Sequence, residues 1–168
     1  MQIFVFHNIF QFDENMMNAT LDMIMVLMED PQVEVRELAG KTLSGIIRCA
    51  NRSSGARLKD HFSRMLGTKV ANKKKPEPEA LLRRHVGVLG LSALVLAFPY
   101  EIPTWMPEVL EHLTRHMNDP APVQTTVKQT MAEFRRTHQE SWHLDREKFT
   151  DDQLSALTDL LVSPSYYA

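Results

Sequence analysis

Leu27 to Ile47 read LMEDPQVEVRELAGKTLSGII, and the reading of this stretch decides the fold. An apolar run stops at Leu27 and Met28, an Asp-Pro break follows, and apolar residues then return at helical spacing. Asp30 is expected as N-cap, accepting from the first free amides of a new helix. Pro31 would take its first position, where no donor is needed. Val35, Leu38, Ala39, Thr42, Leu43 and Ile46 then fall at steps that predict one buried face.

The same grammar extends outward in both directions. Upstream, NMMNATLDMIMVLMED places Met17, Leu21, Ile24, Met25 and Met28 three and four residues apart, which predicts the first helix of the pair. Downstream, PTWMPEVLEHLTRHM sets Met106, Val109, Leu110, Leu113 and Met117 on a stripe. NDPAPVQTTVKQTMAEF then repeats the break at Asp119-Pro120 and continues with Val123, Val127, Met131 and Phe134. The two breaks lie 89 positions apart, roughly two helix-pair repeats of about 40 to 47 residues. Between them SGARLKDHFSRMLG and PEALLRRHVGVLGLSALVLAF predict a third pair, whose second helix is apolar nearly all round after Arg84 and belongs in an inner layer. The polar, Pro-bearing TKVANKKKPEPE between them reads as an exposed loop.

Beyond Phe134 the period weakens, leaving Trp142, Leu144 and Phe149 in a polar connector. Thr150 and Gln153 then have capping-box spacing, with Asp151 and Asp152 suited to the positive end of a short helix. Leu154, Leu157, Leu160 and Leu161 give that helix a docking face, and Ser163-Pro164 stops it.

Composition excludes several classes. The chain has 168 residues, 43% hydrophobic and 24% charged, and a formal net charge of −2. That is an ordinary globular profile, without the charge excess that nucleic acid or an anionic membrane would call for. The single Cys49 rules out an internal disulfide framework. The longest apolar run, Val86 to Phe98, is short of the roughly 20 residues a bilayer span needs. MQIFVFHNIF lacks a basic n-region and a small-residue cleavage site. It reads as an interior surface without its neighbour, so upstream repeats are expected to precede this segment. No P-loop, Gly-x-Ser-x-Gly or dinucleotide turn occurs, so an enzyme is not expected. His112 and His116 stand four apart on a predicted helix, but no sequence neighbour completes a metal set, and metal is not expected.

The Leu27–Ile47 stretch resembles the HEAT-repeat pattern, with Val35-Arg36, Ala39 and Leu43 at the repeat's offsets. The stretch from His116 to Phe134 is a looser match, with Lys128 where the repeat prefers arginine. The sequence closes VSPSYYA, and Tyr166-Tyr167-Ala168 fits the hydrophobic-tyrosine-any-residue motif at the C-termini of several proteasome activators. Together these features resemble the proteasome activator complex subunit four family, the large HEAT-repeat activators, along the whole chain, which would be the C-terminal part of a very long protein.

The resemblance implies an all-α, HEAT-like α-solenoid of about three helix pairs, plus a short C-terminal helix and an extended tail. Repeats would fill residues 1–137, a connector and terminal helix 138–162, and the docking tail 163–168. The partner would be the α-ring of the proteasome core particle. The Ala168 carboxylate would pair with a lysine in a pocket between α-subunits. Tyr167 would pack on the pocket wall and help shift a turn that controls the axial gate, and Tyr166 would fill the hydrophobic position. A terminal carboxylate beside an amphipathic ring is a compact anchor on physical grounds too. Seven residues from Val162 reach roughly 23 Å when extended. Gate opening would be independent of ATP.

The resemblance also implies a bromodomain-like region overlapping residues 1–63 and recognition of acetylated histones. It further implies placement in nucleus and cytoplasm, roles in DNA repair and spermatogenesis, and inositol phosphates bound elsewhere in the full protein, with no cofactor in this segment. Acetyl-lysine needs an apolar slot and one amide donor. Asn51 is a candidate donor and Phe62 a candidate wall, although the ZA-loop pattern of bromodomains is absent and Asn51 reads first as a helix C-cap. Two other functions stay open at this point: a chromatin reader, or a HEAT adaptor without proteasome binding.

Overall fold

The computed structural model describes residues 7–8, 11–49, 53–67 and 77–161. Eight α-helices and one 3-10 turn occupy these residues: α1 Glu14–Met28, α2 Val33–Cys49, α3 Ser53–Leu66, α4 Pro78–Leu96, α5 Met106–Thr114, α6 Val123–His138, α7 Trp142–Asp145, the 3-10 turn Arg146–Lys148, and α8 Asp151–Leu161. There is no strand among the described residues. The all-helical, paired architecture expected from the sequence is what forms.

α1, α3 and α5 alternate with α2, α4 and α6. α1 packs on α2 and α3 on α4, while α2, α4 and α6 also pack in series, with α4 in the middle. α5 lies on α4 and meets α8, which also touches α6. A second row beside the first is the arrangement of an α-solenoid. The central position of α4 explains its composition: every residue from Arg84 to Val95 is buried, because neighbours cover it on several sides.

Local chemistry sets the boundaries. Asp13 caps α1, its Oδ1 accepting from the Met16 amide at 2.7 Å. Pro78 opens α4, where its missing donor costs nothing. The Asp30 expectation needs correction. α2 begins at Val33, the Gln32 carbonyl accepts from the Arg36 amide, and Asp30 Oδ1 accepts from the Gln32 amide at 2.8 Å. Asp30 therefore closes a side-chain turn before the helix.

The buried face of α2 also differs from the apolar stripe. Leu38 is 66% exposed, while Arg36, Gly40, Ser44 and Gly45 are buried beside Ala39, Leu43, Ile46 and Ile47. α2 contacts α1 on one side and α4 on another, and its second contact face is built from small and polar residues that an apolar period does not register.

One contact fixes the separation of α3 and α4. A Cβ placed on Gly90 would meet the Phe62 ring at 2.1 Å, and one on Gly87 would meet the Leu66 amide nitrogen at 2.5 Å. The two glycines let the backbones approach until the Phe62 ring rests directly on α4.

Candidate docking platform

The connector that carries the terminal helix is anchored by aromatic rings and one acid. Trp142 meets Phe134 edge-on with centroids 6.4 Å apart, and Phe149 lies 5.6 Å from Trp142. Phe149 is buried. These contacts fold the chain back after α6, so α8 touches α6 while packing on α5. Asp145, at the end of α7, is 5% exposed. Burial alone would raise its carboxyl pKa. The Ser141 hydroxyl and Lys148, whose Nζ donates to Oδ1 at 2.9 Å, outweigh that and hold it below the usual carboxylate range. This acid ties α7 to the 3-10 turn.

α8 starts with the expected capping box. The Thr150 amide donates to Gln153 Oε1 at 3.0 Å, and the Gln153 amide donates to Thr150 Oγ1 at 3.3 Å. Leu157 is 1% exposed and Leu154 packs against the core. The terminal helix is thus fixed at its start and along its middle, and Leu161 is the last described residue.

The three residues of the expected docking motif, Tyr166, Tyr167 and Ala168, lie outside the described residues, as does Asn51. Phe62 is described, and it is wholly enclosed between α3 and α4 with 0% exposure. That places its ring in the core. His112 and His116 do not share a helix, because α5 ends at Thr114. His116 turns instead to Asp119, its Nδ1 lying 2.7 Å from Oδ2. No group of three or more His, Cys, Asp or Glu is placed to hold a metal among the described residues, and none of their helices is long and apolar enough to cross a membrane.

Asp119, at the second Asp-Pro break, serves a distant element. It is 3% exposed, and its Oδ2 accepts from Arg84 at 2.9 Å, joining the start of α4 to the α5–α6 turn.

Sequence reading missed a polar line that crosses the inner row. Arg36 of α2 donates from Nε to His85 Nδ1 at 3.2 Å, and His85 Nε2 lies 3.0 Å from Thr126 Oγ1 of α6. Arg36 also donates to the carbonyls of Asp30 and Pro31 at 2.6 and 2.9 Å. A guanidinium can only donate, so His85 Nδ1 accepts and the proton sits on Nε2, facing Thr126. Burial, and then the Arg36 charge, push the His85 pKa down to about 4. A lone imidazole inside the otherwise apolar helix after Arg84 was the signal available.

A family model described as Proteasome activator complex subunit 4-like, C-terminal, matches residues 81–168. The chain is 45% identical to Proteasome activator complex subunit 4 of Homo sapiens over its full length and 47% identical over 99% of its length to that of Xenopus laevis, spanning 10% of each relative. It is 28% identical over 99% of its length to Proteasome activator BLM10 of Saccharomyces cerevisiae, of which it spans 8%. The chain therefore covers about a tenth of the curated relatives it matches. With the helix pairs, the terminal helix and a family match that runs through the final Tyr-Tyr-Ala, the chain belongs to the proteasome activator complex subunit 4 family and corresponds to its C-terminal region.

Proposed function

We propose that this chain is the C-terminal end of an activator that caps the proteasome core particle and promotes ATP-independent opening of its gate, with Tyr166, Tyr167 and Ala168 as the docking element. The observation that carries the reading is the continuity of the family match through Ala168, directly after a helix held at its cap, its middle and its connector. A tail leaving a fixed helix searches a smaller volume than one leaving a frayed end, so less entropy opposes its capture. Docking uses a carboxylate and an amphipathic ring, a combination suited to a pocket with one cation and an apolar wall. Acetyl-lysine recognition through Phe62 gains no support, because that ring has no open face.

The test uses the full-length protein with Tyr166 to Ala168 removed, measured by co-sedimentation with the core particle and by hydrolysis of a fluorogenic peptide. Both signals should disappear. If both persist, the docking assignment fails. Loss of stimulation with binding retained would show that the tail opens the gate while other surfaces hold the cap.

A further inference from the structure

α2 and α6 flank α4 and leave a trough along the exposed side of the inner row. Two adjoining cavities of about 240 and 370 Å³ form it, sharing Lys41, Leu96 and Glu133. Leu89, Ala93 and Leu96 of α4 line its base. Gly40 keeps one wall low, since a Cβ there would press on Leu89 at 3.3 Å.

Charge is unevenly distributed along the trough. Glu37 lines one end. Lys41 and a single further carboxylate, Glu133, lie where the two cavities meet, and Arg48 and Arg136 line the other end. Glu133 is already held by two bonds from Arg136. Arg48 gives one bond to the Leu96 carbonyl at 2.7 Å, and Lys41 has no carboxylate partner among the described residues. Tyr100, 83% exposed, lines the same end.

We propose that this trough binds an extended peptide segment bearing acidic side chains, its carboxylates against Lys41 and Arg48 and its apolar side chains on Leu96 and Tyr100. From Leu89 to Leu96 a helix rises about 10 Å, which matches three extended peptide residues at roughly 3.3 Å each. The apolar base rewards side chains that a polyphosphate lacks, and Glu37 repels a uniform polyanion, so peptide fits better than nucleic acid. The site is separate from the tail and does not depend on it.

Fluorescence anisotropy of the chain tests the proposal. The probes are a fluorescein-labelled, C-terminally amidated octapeptide alternating Glu with Leu, and its Lys-for-Glu counterpart. The acidic probe should bind at least ten-fold more tightly and weaken with salt. Lys41→Glu should cost a further ten-fold or more without changing thermal unfolding, Arg48→Gln should weaken binding several-fold, and Lys41→Arg should retain it. Equal binding of both probes, tighter binding of a labelled single-stranded oligonucleotide, or wild-type affinity in Lys41→Glu would overturn it.

Discussion

Gly90→Ala is a one-methyl change with a calculable cost. In a helix interior alanine is favoured over glycine by about 1 kcal/mol, so propensity alone predicts stabilisation. The structure predicts the reverse. The new methyl would sit 2.1 Å from two atoms of the Phe62 ring, roughly 1.4 Å inside ordinary carbon–carbon contact. The ring is fully buried and has no open side to retreat to, so α3 must move off α4. Overpacking of this kind costs about 1–3 kcal/mol or more, and this approach belongs at the upper end. The net loss should be about 2 kcal/mol, a fall in Tm of roughly 4–8 °C for a chain of this size, read by circular dichroism. Gly55→Ala is the control, since a Cβ there meets nothing within 4 Å; it should leave Tm unchanged or raise it by about 2 °C. Phe62→Leu should cost less in the Gly90→Ala background than alone, because the smaller side chain vacates the space the methyl needs. A Gly90→Ala chain as stable as the parent would refute the close approach of α3 to α4.

Two further predictions concern buried charge. His85 is held neutral with a pKa lowered from 6.5 to about 4, so between these values the unfolded chain binds more protons than the folded one. Stability should therefore be complete above pH 6.5 and fall by about 3 kcal/mol as pH drops through 4. In denaturant titrations His85→Gln should flatten that slope, and an unchanged slope would exclude His85 as its source. Asp119→Ala removes the buried carboxylate that Arg84 and His116 share and should cost about 3–5 kcal/mol in chemical denaturation. The pair Arg84→Met with Asp119→Leu should recover part of it, with the His116 contact still lost, and no recovery would mean that the ion pair is not the source of the loss.

The features legible in the sequence were those written in apolar period and capping chemistry. Met17, Leu21, Ile24 and Met28 lie on the buried side of α1, and Thr150 with Gln153 forms the box their spacing predicted. Reading failed where a helix has two contact faces or where a polar residue serves a distant element. Leu38 was placed inside because the pattern records only apolar residues, while the second face of α2 uses Arg36, Gly40 and Ser44. Asp30 and Asp119 share an Asp-Pro context, yet one closes a local turn and the other meets Arg84, 35 residues earlier in the chain. Adjacent residues cannot distinguish a local acceptor from a distant one. The expected docking residues Tyr166, Tyr167 and Ala168 rest on their order in the sequence and lie outside the described residues.

The line from Arg36 through His85 to Thr126 has a mechanical meaning. Stacked helices that meet through side-chain packing alone can shear by small increments, since dispersion contacts are non-directional and re-form after a slip. Directional bonds through one imidazole cannot follow such a slip. The inner row therefore behaves like the stitched spine of a book, while the helices lying on it act as its pages and take up changes of curvature. A load applied at α8 would fan the α5 side open before it moved α2, α4 and α6 past one another. The row that carries the trough is thus the one held in register by directional bonds.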